Sequence, residues 1–153
     1  MLDQVLGIKQ RREDAAARAE LQSRLELEQA ASAVRAERQR KADYETWSVE
    51  ERQRLYRELQ EHGAVTYNEL MQWNAQVADI KQGLLDIEAG IIQLEEERRQ
   101  KMSAHEAALS AKQDARQQVV KFTELVDAER LEAMLEQQAR EEKELEDFRR
   151  PEP

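Results

Sequence analysis

The chain has 153 residues, of which 40% are hydrophobic, 37% charged and only 5% aromatic, and its net charge is −9. A balance this acidic repels phosphate backbones and anionic headgroups, so neither nucleic-acid nor anionic-membrane binding is expected. No cysteine is present, which excludes disulfides and thiolate metal sites, and no stretch approaches the ~20 apolar residues of a membrane span.

What remains is the profile of a long helix or coiled coil. A globular core with so few large apolar residues would barely offset chain entropy, whereas a two-helix seam needs far fewer. No proline occurs before Pro151. A proline inside a helix loses a backbone hydrogen bond and clashes with the preceding turn, so its absence permits very long helices. A helix from Thr66 to Phe148 would run ~120 Å at ~1.5 Å per residue, more than a compact domain of this size needs. The start, Met1-Leu2-Asp3-Gln4-Val5-Leu6-Gly7-Ile8, has an acid where a signal peptide has basic charge, and its apolar content ends soon. The expectation is a soluble cytoplasmic protein.

The first arm, about 3–61, is rich in alanine, and its larger apolar groups Leu21, Leu25, Leu27 and Val34 make only a weak stripe. The cluster Lys9-Gln10-Arg11-Arg12 reads as a solvated helix face. Ser48-Val49-Glu50-Glu51 fits a capping box. Either the arm kinks near Trp47-Ser48, or Ser48 faces solvent within one continuous helix.

Residues 62–66 are the one obligatory turn. His62-Gly63 places glycine where a helix can end in the left-handed conformation, and Thr66-Tyr67-Asn68-Glu69 fits a capping box for the next helix. The second arm, about 66–148, then carries a heptad seam through Leu70, Trp73, Val77, Ile80, Leu84, Ile87, Ile91 and Leu94. Alternating spacings of three and four are the mark of coiled-coil packing. The seam falters at Arg98, Lys101, His105 and Lys112 and recovers at Ala115, Val119, Phe122 and Val126. The fold expected is all-α, a long antiparallel two-helix coiled-coil hairpin. It would form a single elongated domain over 1–153 with a tail at 149–153.

In such a hairpin residue i faces roughly residue 128 − i. Arg98 and Lys101 then lie opposite the region of Ala30, Ala31 and Ala33, where small residues let long basic stems cross the seam. Weak parts of the two arms match, which favours an antiparallel hairpin over a parallel dimer. Residues 127–148 are left unpaired. This overhang has nine acids and three bases, Arg130, Arg140 and Lys143, together with Leu131, Leu135, Leu145 and Phe148. Apolar groups bordered by charge usually mark a binding surface.

Nothing in the chain supports catalysis, a metal site or a cofactor. His62 and His105 are far apart in a hairpin: His62 reads as a solvated loop-end residue and His105 as a polar defect in the seam. Glu95-Glu96-Glu97 before Arg98-Arg99 reads as a surface with local ion pairs. Gly83 and Gly90 repeat at one heptad position. They are surface glycines that the helix tolerates, or they answer to close packing of Tyr44 and Trp47, or to approach by another chain. Five of the seven aromatics, Tyr44, Trp47, Tyr56, Tyr67 and Trp73, gather near the turn. A two-helix hairpin cannot bury them all, so some should form a recognition patch.

Tyr44-x-x-Trp47, Glu50-Glu51-x-x-x-Leu55-Tyr56, Lys121-Phe122-x-x-Leu125 and Glu141-Glu142-x-Glu144-Leu145-Glu146-x-Phe148 occur in this order. Together they resemble the YscO-type proteins of type III secretion injectisomes, relatives of the flagellar export protein FliJ. The resemblance covers most of the chain. It implies a non-enzymatic stalk, similar to the central shaft of rotary ATP synthases, that inserts into a hexameric export ATPase at the base of a membrane-bound secretion apparatus. It also implies contact with the export gate and with export chaperones. The candidates for ATPase contact are Leu135, Glu141, Glu142, Glu144, Leu145, Glu146 and Phe148. Those for gate or chaperone contact are Tyr44, Trp47, Tyr56 and Tyr67. The other readings are a generic cytoplasmic coiled-coil scaffold or chaperone-like adaptor and, against the charge, a nucleic-acid-binding helical arm.

Overall fold

A computed structural model describes residues 1–149 as two helices, α1 (Leu2–Glu61) and α2 (Tyr67–Arg149), with no strand among the described residues. They form an antiparallel coiled-coil hairpin. Of the tail expected at 149–153, Arg149 is the last residue of α2 and residues 150–153 lie outside the described residues.

The turn follows from local chemistry. α1 ends because Gly63 takes φ 69° and its N–H donates to the Gln60 carbonyl at 3.2 Å. That conformation is open to glycine at no steric cost. α2 starts on Thr66, whose Oγ1 accepts the Glu69 N–H at 3.2 Å and whose carbonyl accepts the Leu70 N–H at 3.1 Å. The return half of the capping box is not made. Glu69 Oε2 is buried without a hydrogen-bond partner.

The hairpin divides into two compact units, one of residues 23–105 and one of Met1–Gln22 with the chain from Glu106 onward. In the turn unit α2 presents the expected seam. Ile80, Ile87 and Ile91 are buried, and Trp73, Val77, Leu84 and Leu94 are half-buried. Leu70, at the head of the seam, remains exposed.

α1 answers with a heptad of its own, but a mixed one. Leu27, Ala30, Val34, Glu37, Lys41, Tyr44, Ser48, Glu51 and Leu55 are covered at this spacing, and Val34 is completely buried. Leu21 and Leu25 point outward. The stripe on this arm is therefore defined by spacing and not by hydrophobicity. Large apolar residues of α2 from Trp73 to Leu94 supply the apolar surface on the turn side of the seam, so small or amphipathic residues suffice opposite them.

Ser48 corrects the expectation for this arm. α1 runs through it unbroken, so there is no kink, yet Ser48 does not face solvent either. It is 4% exposed in the seam, and its Oγ donates to the Glu45 carbonyl at 2.8 Å. A serine that satisfies itself on the preceding turn can sit in an apolar layer without an orphaned hydroxyl.

In the second unit, Leu2, Val5, Leu6, Ala16 and Ala17 are covered, as are Ala108, Ala115, Val119 and Phe122, and Val126 is 3% exposed. Lys9 places its ammonium 5.2 Å from the Phe122 ring centre, and Asp3 pairs with Arg130 at 3.3 Å. No helix of the described residues is long and apolar enough to cross a membrane.

Candidate docking surfaces

The faltering stretch of the α2 seam is held by polar pairs. In the turn unit His105 Nδ1 lies 3.1 Å from Ser23 Oγ, and Lys101 reaches Glu26 at 3.1 Å. Arg38 pairs with Glu95, and Lys41 with Glu88 at 3.4 Å. In the other unit Lys112 lies 3.8 Å from Glu20, which is 6% exposed. The Arg38 guanidinium holds the Glu95 carboxyl below its ordinary range, chiefly through the hydrogen bond. Arg54 does the same for Glu51. No cluster of metal-ligating side chains occurs among the described residues.

The aromatics near the turn separate into two sets. Tyr44 is a seam residue: its hydroxyl donates to the Ile80 carbonyl at 2.7 Å, and its ring sits 5.2 Å from that of Trp47. A Cβ at Gly83 would overlap the Tyr44 hydroxyl and lie 2.8 Å from its Cζ, so this glycine exists to admit the phenol. The space at Gly90 is ordinary, with Glu37 Oε1 4.0 Å away. Close packing thus accounts for Gly83 alone.

Trp47, Tyr56 and Tyr67 form the exposed set, and Tyr67 is 75% exposed. Trp73 is a half-buried residue of the seam. It lines an apolar groove with Val49, Gln53 and Tyr56, and also a polar cleft with His62 and Glu69, and its indole N–H is buried without a partner. An unpaired donor and an unpaired acceptor, Glu69 Oε2, thus line one cleft.

The overhang is exposed at every residue from Asp127 to Arg149. Leu131, Leu135 and Leu145 are each more than half exposed, Phe148 is 89% exposed, and Glu141, Glu144, Leu145 and Phe148 line one shallow groove. Met134, 51% exposed, belongs to the same face and was not anticipated. Its position three residues after Leu131 is the signal that could have found it.

An antiparallel two-helix hairpin with polar pairs in its seam and an exposed acidic end to α2 defines a coiled-coil protein. The family model of the type III secretion protein YscO matches residues 2–151, and the chain belongs to that family. Its structure is similar to the crystal structure of type III secretion protein YscO from Vibrio parahaemolyticus, with a TM-score of 0.87 at 23% identity over 97% of this chain and 93% of that one. No curated protein sequence matches the chain.

Proposed function

We propose that this chain is the non-enzymatic central stalk of a type III export apparatus. It works on the cytoplasmic side at the base of the apparatus, with its free ends in the ring of a hexameric export ATPase. Its aromatic turn, through Trp47, Tyr56 and Tyr67, faces the export gate or an export chaperone. Tyr44 acts from behind, setting the position of Trp47.

The observation that carries this reading is the overhang. Beyond the Arg130–Asp3 pair, the exposed helical run from Leu131 to Arg149 keeps Leu135, Leu145 and Phe148 in water beside Glu141, Glu142, Glu144 and Glu146, an arrangement that a binding surface explains. A shaft that biases a ring must bind the ring's states with different free energies. Leucine and phenylalanine supply apolar contact, while the glutamates meet basic residues of the inner wall. Charge pairing of this kind sets orientation and association rate more than affinity.

The test is truncation after Gln138. Stimulation of the cognate ATPase should fall sharply, and in the full chain it should weaken as salt rises. Undiminished stimulation by the truncated protein, at unchanged melting temperature, would show that the end is only a solubilising tail.

A further inference from the structure

α2 carries a second heptad stripe, which the hairpin leaves uncovered. Met71, Ala75, Ala78, Leu85, Ala89 and Ile92 follow at the four-and-three spacing, interrupted only by Gln82. All are exposed, and exposure climbs from 49% at Met71 through 56% at Leu85 to 68% at Ile92. With ~3.5 residues per turn, this stripe lies roughly 150° around the helix from the seam that α1 covers. A solvated helix back would be charged. The same helix shows this directly, placing Glu96, Arg99, Ser103 and Glu106 at the continuing positions. The apolar register therefore begins and ends with residues 71–92.

From this stripe we infer that α2 holds a docking seam for one further helix, supplied by another protein and carrying large apolar residues with lysine or arginine on its flanks. Three of the seam positions are alanine, which lets a partner backbone approach closely and leaves space that only large side chains fill. The two flanks differ in charge. Asp79 and Asp86 make one side acidic. On the other Lys81 is a base, and Glu88 and Glu95 are already paired with Lys41 and Arg38 of α1. A basic partner is therefore met chiefly by Asp79 and Asp86.

A second copy of this chain fits poorly in either direction. In a parallel pair the alanine layers would stack on themselves and leave voids. In an antiparallel pair like flanks meet, so Asp79 and Asp86 would face their own counterparts across the seam. Complementary charge is the remaining match. Met71 stands four residues after the exposed Tyr67 and so borders it on the helix surface, but the rest of this seam is distinct from the overhang and the aromatics, and the inference does not depend on the stalk reading.

The experiment uses the full chain and two synthetic peptides of about four heptads with leucine at the a and d positions. One has lysine at its e and g positions and the other glutamate. Binding is followed by fluorescence anisotropy for the wild type, for L85E and I92E on the stripe, and for V120E as a control with the same change of charge elsewhere on α2. The lysine peptide should bind the wild type and V120E alike. Its affinity should fall at least about tenfold for L85E and I92E, and the glutamate peptide should bind the wild type at least about tenfold more weakly. Melting curves establish that each variant is folded; I92E, at the most exposed position, carries the test should L85E not fold. Failure of the lysine peptide to bind, equal binding of both peptides, or equal weakening by V120E would overturn the proposal. A wild-type dimer in sedimentation that L85E dissolves would also overturn it, by assigning the seam to a second copy.

Discussion

Gly83 and Gly90 occupy the same heptad position, yet alanine should act on them in opposite directions. In an open helix interior alanine gains about 1 kcal/mol over glycine. Gly90 has the room for it, so Gly90→Ala should raise the urea midpoint. At Gly83 the new methyl drives the Tyr44 phenol away and breaks its bond to the Ile80 carbonyl. Overpacking costs about 1–3 kcal/mol and the hydrogen bond about 1 more, so Gly83→Ala should lower stability by about 1–3 kcal/mol net. The double variant with Tyr44→Ala should recover most of that difference. Equal effects at the two glycines would contradict the reading that Gly83 makes room for the Tyr44 phenol. Glu95 gives a pH signature. Its carboxyl is depressed in the folded chain by Arg38, so the pair stabilises above the ordinary glutamate range and loses that contribution as pH falls through the depressed value. Glu95→Gln should therefore lower stability near neutrality and flatten the acid limb of a stability-against-pH curve, with little difference left at the lowest pH.

At the scale of elements, α1 and α2 share one seam but divide its chemistry unequally. Leu55 is 7% exposed, and Leu55→Ala should cost about 2–5 kcal/mol. Tyr56 and Tyr67 lie close to it along the chain but outside the seam, so Tyr56→Ala with Tyr67→Ala should move the melting transition by about 0.5 kcal/mol or less. The same pair should weaken binding to the gate or chaperone, measured per folded molecule. A collapse of helicity with unchanged affinity would assign those rings to the core instead. The polar layer of Ser23 and His105 offers a further check. Replacing both partners of a part-buried polar pair with apolar groups of similar shape is often neutral or stabilising, so Ser23→Ala with His105→Leu should not destabilise the chain. His105→Leu alone leaves a serine that can turn to its own helix carbonyl, so it should also be tolerated. A large loss in the double variant would show that the pair contributes more than a defect in the packing.

For the whole molecule, charge and periodicity act together. Residues 1–62 hold 12 basic and 13 acidic groups, net −1, and residues 63–153 hold 12 and 20, net −8. The uncovered parts of α2 thus carry most of the acidity, and any partner of either should bind less well as salt screens it. Much of the hairpin was legible in advance because three local signals agree: no proline before Pro151, one left-handed glycine at the turn, and a four-and-three apolar series on α2 from Leu70 to Leu94. Each is a property of neighbours along the chain. The overhang followed from arm lengths alone, and its exposure in the structure agrees with that arithmetic. What composition could not show was the seam of α1. Leu21 and Leu25 look like core and point outward, whereas Ser48 and Glu20 look solvated and are buried. Which residues of an Ala-rich helix face inward depends on the register set by its partner, and Tyr44 against Gly83, Ser23 against His105 and Arg38 against Glu95 exist only once the arms are paired. The sequence by itself determined two long helices, their turn and the stripe of the stronger arm, because helical periodicity is local. Tertiary packing alone decided the polar inner face of the weaker arm, because apolar partners from α2 let residues there be buried without being hydrophobic.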